Sequence, residues 1–374
     1  MKGIYLHIPF CDRKCFYCDF YSVENIDLMN QYLDSLLREI ELYKPFIPEK
    51  TIIDTIFLGG GTPSIIDPIR LKIILNKLKE FFNISLQAEI TIECNPGMLS
   101  ESNLLYYKEI GINRISIGVQ SFVDSELLFL QRIHNSRQAE EAILLARKAG
   151  FDNISIDLIF SIPGQTMESL DYSIGRAIEL KPEHISAYSL IFEDNTPLYN
   201  EWKSGKINKT FEDDETELYL HLIERLQVSG YNQYEVSNFA LNGRKCRHNI
   251  NYWNGSEYYG FGASAHGYLS EKRYSNVRSI VKYIKYLDAG MLPVDFTEEL
   301  TEKQKQTERV YLSLRAEGLN TAEYHREFGV NIIKSKFNDL KAMEKEGLLI
   351  IEGDTIRLQP KGYCLSEEVA MKLM

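Results

Sequence analysis

Gly3–Cys18 reads GIYLHIPFCDRKCFYC: an apolar, β-branched run interrupted by Pro9, then three cysteines, Cys11, Cys15 and Cys18, within eight residues. The run has the chemistry of a buried strand, and the proline at its exit ends the pairing. Five further runs of the same kind follow: Asp54–Leu58, Ala88–Glu93, Arg114–Gln120, Ile154–Phe160 and His184–Phe192. Between them lie amphipathic segments. In Leu28–Tyr43, apolar residues recur at Met29, Tyr32, Leu33, Leu36, Leu37 and Ile40, a stripe with the helical period. Similar stripes span Ile69–Phe82, Ser100–Ile110, Ala139–Ala149 and Glu168–Leu180. Successive β–α units imply parallel strands joined by right-handed helical crossovers.

The polar residues discriminate between an open sheet and a barrel. The first strand leads into the cysteines and the second into Gly59-Gly60-Gly61-Thr62-Pro63. The third ends at Glu93, the fourth at Gln120, and the fifth carries Asp157 ahead of Pro163-Gly164. A β/α barrel builds its site from the carboxyl ends of many strands, whereas an open sheet favours one crevice. Consecutive loaded strand ends favour the barrel.

The remainder of the chain has a different pattern. Residues 1–210 are expected to form the barrel, 211–296 a Tyr/Asn/Gly-rich elaboration, and 297–374 a small C-terminal domain. The elaboration is expected to hold helices at Asp213–Gly230 and Ile280–Leu287. In the C-terminal domain, helical patterns at Lys303–Glu317, Thr321–Phe328 and Ile332–Glu346 precede strand-like runs at Leu348–Glu352 and Thr355–Gln359, an order that resembles a winged helix. Its charges are mixed, not a basic stripe, which argues against DNA binding.

Composition narrows the classes further. The chain has 374 residues, 44% hydrophobic and 25% charged, with a net charge of −11. These are the proportions of a globular protein, and the acidic balance disfavours non-specific binding to nucleic acid or anionic lipid. The longest uncharged run, Tyr258–Ser270, is Gly/Ser/Ala-rich and too short for a membrane span. The apolar stretch Ile4–Phe10 is interrupted by His7 and Pro9 and is a poor signal peptide. The expected location is cytoplasmic. Six cysteines, three of them clustered, suit a metal site in a reducing compartment better than a disulfide framework.

Zinc is the weaker reading of that cluster, because Cys11-x3-Cys15-x2-Cys18 lacks a second paired knuckle. A cubane iron–sulfur cluster held by three cysteines leaves one iron without a protein ligand, open to chelation by a small molecule. Cys94, Cys246 and Cys364 are scattered and read as small hydrophobes.

The CxxxCxxC loop after a first strand, followed by GGGTP after the second, resembles the radical S-adenosylmethionine (SAM) superfamily. Tyr5-x-His7-x-Pro9-Phe10-Cys11, Glu93-Cys94-Asn95-Pro96, Gly118-Val119-Gln120-Ser121 and Asp157-x5-Pro163-Gly164-Gln165-Thr166 are similar to the oxygen-independent coproporphyrinogen III oxidase family. That resemblance spans nearly the whole chain. It implies an α/β fold built on a partial (β/α)6 TIM-type barrel with a C-terminal helical, winged-helix-like domain. It implies a [4Fe-4S] cluster on Cys11, Cys15 and Cys18, with SAM on the open iron. It also implies SAM contacts from Tyr5, Gly60, Gly61, Thr62, Glu93, Gln120, Arg132 and Asp157, with Tyr17 covering the cofactor.

Three departures turn the resemblance toward one branch. The true oxidases carry a fourth cysteine two residues past the third, where this chain has Phe20, and an N-terminal extension ahead of the first strand. Moreover His248-Asn249-Ile250-Asn251-Tyr252-Trp253 matches the HNxxYW pattern of the oxidase-like heme chaperones, the HemW-like branch. The branch implies heme as a third ligand and delivery to recipient hemoproteins of respiration. Imidazole is an axial ligand of heme iron and aromatic faces suit a porphyrin, so His248 is the expected heme contact and His266 the second candidate. Cys246 and Arg247 could meet a heme edge or propionate, while His7 and His134 read as structural. The alternative is the oxidase itself, an enzyme that cleaves SAM reductively and decarboxylates coproporphyrinogen propionates. A homodimer and peripheral membrane contact through a protein partner complete the expectations, with no catalytic residue assigned.

Overall fold

The computed structural model describes residues 2–48 and 51–374. Six parallel strands run side by side in chain order: β1 (Gly3–Ile8), β2 (Ile52–Gly60), β3 (Asn83–Cys94), β4 (Arg114–Gln120), β5 (Ile154–Phe160) and β6 (His184–Ser189). Helices α1 (Met29–Leu42), α2 (Pro68–Phe81), α3 (Glu101–Glu109), α4 (Asp124–Phe129), α5 (Ser136–Lys148) and α6 (Met167–Leu180) form the crossovers. Their starts are written locally. Asp67 caps α2 ahead of Pro68, and capping boxes at Asn135/Gln138 and Thr166/Ser169 begin α5 and α6.

The strand pattern separates two faces. Ile4, Leu6 and Ile8 are fully buried in the main apolar core, together with Leu33, Leu36 and Ile40 of α1. The opposite face lines the concave interior in layers set by register. Gly3 lies beside Thr55 and Thr55 beside Glu89 in the lowest; Tyr5, Phe57, Thr91 and Arg114 form the middle; His7, Gly59, Glu93 and Ser116 stand near the carboxyl ends.

The sheet continues beyond the six strands on both sides, and sequence patterning missed how. After α7 (Pro197–Lys203) and α8 (Glu212–Val228), short strands β7 (Asn232–Gln233) and β8 (Asn238–Ala240) extend the β6 edge in antiparallel fashion. Helix α9 (Arg247–Trp253) follows, then β9 (Tyr258–Phe261), which pairs parallel to β1. Strands β10 (His266–Leu269) and β11 (Lys272–Asn276), helix α10 (Ile280–Asp288) and β12 (Val294–Glu299) complete an open twelve-stranded sheet ordered β12-β11-β10-β9-β1-β2-β3-β4-β5-β6-β8-β7. Gly260 makes the β9–β10 contact feasible, since a Cβ there would lie 1.8 Å from the His266 carbonyl oxygen.

The C-terminal residues have a core of their own, centred on Val310, Leu314, Leu340, Met343, Ile356 and Val369. Its elements are α11 (Glu302–Leu314), β13 (Leu319–Asn320), α12 (Thr321–Phe328), α13 (Ile332–Ser335), α14 (Phe337–Lys345), β14 (Leu349–Glu352) and β15 (Thr355–Leu358), with two short helices after them. The three strands form one antiparallel sheet ordered β13-β15-β14, the wing of a winged helix. No described helix is long and apolar enough to cross a membrane.

Candidate functional site at the carboxyl ends of the barrel strands

The cysteine loop is closed at its neck. Cys11 N–H donates to Val23 O at 3.0 Å and Val23 N–H to Pro9 O at 2.8 Å. The Leu198 N–H of α7 donates to Phe16 O at 3.1 Å, and the Arg278 guanidinium to Asp19 O at 2.7 Å. Phe16 sits in a third apolar cluster with Leu130, Ile159, Ile162, Leu190, Phe192 and Leu198, so α7 and the strand ends roof the loop.

The glycine turn docks against this loop through backbone. Gly61 N–H donates to Ile8 O and Thr62 N–H to Phe10 O, each at 2.8 Å, while the Thr62 hydroxyl reaches the Cys11 sulfur at 3.7 Å. A Cβ on Gly61 would lie 2.6 Å from Phe10 O and 3.0 Å from the Cys11 sulfur. Gly60 has φ +115°, a conformation glycine adopts freely, and its N–H donates to Glu93 Oε2 at 3.1 Å.

On the other side, Arg132 reaches in beneath the loop. Its Nη1 donates to the Cys15 sulfur and its Nη2 to Gly118 O, both at 3.0 Å, and its buried Nε has no partner. Tyr17, half-buried, shares this corner, where burial raises its phenol above the ordinary range. Gly118 keeps the space open, since a Cβ there would come 2.9 Å from the Gln120 amide nitrogen. Gln120 itself has φ +68°, a strained conformation for a residue with a side chain and one that concentrates at functional sites.

Glu93 and Asp157 complete the chamber. Burial, then the neighbouring Asp157 charge, pushes Glu93 up to about 8; burial also raises Asp157, which accepts from Ser116 at 3.4 Å. Burial lifts the Tyr5 phenol, whose hydroxyl meets His7 Nδ1 at 3.0 Å, and lowers His7 to about 4. The Glu93 carboxylate accepts one hydrogen bond among the described residues, from Gly60. Two desolvated carboxylates with spare acceptor capacity suit a ligand bearing an ammonium or hydroxyl donors.

The donor set can be compared with the cluster the loop resembles. Among the described residues no three Cys, His, Asp or Glu side chains converge on a point for one ion, as tetrahedral zinc would require. A cubane spreads its thiolate ligands over separate corners. The three thiols lie close enough to raise one another, and burial raises Cys11 and lifts Cys18 to about 11, so binding metal would release their protons. The unpartnered Arg132 Nε and the glycine cradle fit a bulky anionic cluster carrying a small-molecule ligand.

A scan against family models matches residues 5–176 to the radical SAM superfamily and residues 300–365 to the HemN C-terminal domain. The chain is 35% identical over 375 residues to the heme chaperone HemW of Bacillus subtilis, covering 99% of this chain and 98% of that protein. It is 32% identical over 377 residues to HemW of Mycobacterium tuberculosis, covering 100% and 94%. The chain belongs to the HemW family. Among solved structures, the coproporphyrinogen III oxidase HemN of Escherichia coli, a radical SAM enzyme, superposes with a TM-score of 0.85 at 24% identity, over 100% of this chain and 89% of that one. That likeness establishes the shared fold, including the open barrel and C-terminal domain expected from the sequence.

The residues singled out in the sequence therefore divide in two. Tyr5, Tyr17, Gly60, Gly61, Thr62, Glu93, Gln120, Arg132 and Asp157 gather with the three cysteines, but His248 does not join them. It is 1% exposed at the start of α9. Its Nδ1 meets Thr55 Oγ1 and its Nε2 meets Tyr252 OH, both at 2.8 Å. Both ring nitrogens are engaged, and burial lowers the imidazole to about 3. His248, the expected heme contact, thus has both ring nitrogens occupied by protein partners in this structure. Cys246 and Arg247 face inward too: the thiol and the Arg247 N–H meet Glu89, and the guanidinium binds Gln87 O. His266 is exposed on β10, makes no side-chain hydrogen bond among the described residues, and is lowered by partial burial and the nearby Arg278.

Proposed function

We propose that this HemW-family protein holds a [4Fe-4S] cluster on Cys11, Cys15 and Cys18, binds SAM in the adjoining chamber, and carries heme to recipient hemoproteins. The observation that carries this reading is the full-length identity to heme chaperones, joined to the anchored three-cysteine loop. When bound, the cluster would supply an open iron for the amino and carboxylate groups of SAM to chelate. The protein's own contribution is positional. The Gly60–Thr62 backbone would hold the amino end, Glu93 would accept from its donors, and Asp157 would offer a second acceptor. Arg132 would place positive charge beside the Cys15 thiolate. Absence of a thiol at Phe20 supports the chaperone over the oxidase.

Heme is proposed to bind outside the chamber, with His266 as its ligand. Heme iron binds a neutral, accessible imidazole, and partial burial, then the nearby Arg278 charge, favours the neutral form of His266. Arg278, tied to Asp19 of the cysteine loop, lies beside it and suits a propionate. Phe20, 70% exposed on that loop, offers an apolar face.

Two measurements test this. Heme titration should show one equivalent bound to the wild type; His266→Ala should lose the axial-ligand absorbance signature and bind at least about tenfold more weakly, and His248→Ala should retain that signature. Retention in His266→Ala would refute the ligand assignment. A reduced, SAM-supplied assay should form no protoporphyrinogen from coproporphyrinogen; product formation would restore the oxidase.

A further inference from the structure

Helix α9 carries the HNxxYW motif into the lowest layer of the barrel. Its first backbone donors, Arg247 N–H and His248 N–H, each donate to the buried Glu89 carboxylate at 3.1 Å. A carboxylate at a helix N-terminus is favourably placed, and Glu89 belongs to the barrel wall. Asn251 Nδ2 donates to Thr55 Oγ1 at 3.2 Å, and Thr55 also holds His248. Gly3 makes room for both side chains, because a Cβ there would lie 3.2 Å from each. The helix thus closes the amino-terminal mouth of the barrel.

His248 projects from this plug against the middle layer. Its ring lies nearly parallel to Phe57 at 5.1 Å between centroids, and to Tyr5 at 6.4 Å. Those two rings press upward on the glycine turn. A Cβ on Gly59 would meet Phe57 at 3.0 Å, Tyr5 at 3.1 Å and Glu93 Oε2 at 3.1 Å. From the motif to the residues proposed to hold SAM there is one layer of side chains. Meanwhile Trp253, at the other end of α9, faces the C-terminal domain, with Arg315 6.0 Å from its ring.

We propose that the HNxxYW helix is the floor of the cofactor chamber and that His248 is a positioning residue, fixing the Tyr5–Phe57 pair beneath Gly59 and Glu93 and not ligating heme iron. Its two hydrogen bonds lock the ring plane, and the stacked rings pass that constraint to the wall of the site. This rests on the reading that the chamber above binds SAM at a cluster.

The test uses full-length protein reconstituted anaerobically, with two readouts: SAM affinity, and the change in the electron paramagnetic resonance spectrum of the reduced cluster on SAM addition. His248→Ala should weaken SAM binding at least about tenfold and diminish the spectral change, as loss of supporting partners does at other metal sites. Tyr252→Phe keeps the ring and removes the hydrogen bond to Nε2, so a smaller loss of the same kind is expected. It also decides the matter should His248→Ala fail to hold its cluster. Heme binding at least tenfold weaker in these variants, with SAM affinity and spectrum unchanged, would overturn the proposal. A wild type whose cluster spectrum ignores SAM would instead refute the reading beneath it, and this proposal with it.

Discussion

Gly61→Ala is expected to yield a protein unable to hold its cluster. The new methyl would sit 2.6 Å from Phe10 O and 3.0 Å from Ile8 O and the Cys11 sulfur. Two of these three atoms are backbone, so no rotamer change relieves the overlap. They also belong to the segment that Gly61 and Thr62 clamp by hydrogen bonds, the segment that delivers Cys11. The wall must open, at a cost of about 1–3 kcal/mol for overpacking, and Cys11 moves with it. Iron and sulfide content after anaerobic reconstitution should fall to less than about half that of the wild type. Gly97→Ala is the control, because its nearest atom would be 3.8 Å away. Full iron content in Gly61→Ala would show that the cradle does not fix the loop.

The second large effect lies outside the site. Glu39 of α1 is wholly buried and accepts from Gly262 N–H at 2.7 Å, Asn276 Nδ2 at 2.6 Å and Tyr283 OH at 2.5 Å. It joins the crossover layer to the loop after β9, and hence to the added strands. Glu39→Ala leaves three buried donors facing a cavity and should destabilise the protein by about 3–5 kcal/mol. Glu39→Gln should cost less and reveal a pH dependence. Burial outweighs the three donors and pushes Glu39 up to about 7 from an ordinary value of 4.5. The folded state therefore binds the proton more tightly. This contribution is full below about pH 4.5, falls as pH rises through 4.5–7, and is level above. Facing Glu39 are the phenols of Tyr32, Tyr43 and Tyr283, all raised by burial, and none titrates in that window. Denaturant titrations across pH 4.5–7 should show wild-type stability declining relative to Glu39→Gln by up to about 3 kcal/mol. Parallel profiles would refute the assignment.

The barrel was legible because its strands are local. Ile4, Leu6 and Ile8 alternate with Tyr5 and His7, and each run ends in a turn residue, so strand, face and loaded end follow from spacing. The cysteine loop was legible for the same reason. The extensions were not. Tyr258–Phe261 is short and polar-flanked, and its partner β1 lies more than two hundred residues earlier. Nothing in the local pattern shows that pairing or the Glu39 contacts. Arg132 emerged only through family resemblance, since nothing nearby in the sequence links it to Cys15. His248 shows the deeper limit. An imidazole beside Tyr and Trp suits heme equally well on a surface or in a barrel floor. Thr55 and Tyr252 reach its two nitrogens only through tertiary structure, so nothing in the local pattern shows that both are engaged.

The most direct test of the central claim is a heme titration of the anaerobically reconstituted wild-type protein, with iron and sulfide counted on the same sample. The predicted result is one heme bound per chain beside about four non-heme irons and four sulfides, the cluster surviving the titration. A protein that carries the cluster yet binds no heme, and converts coproporphyrinogen when given SAM and reductant, would contradict the account.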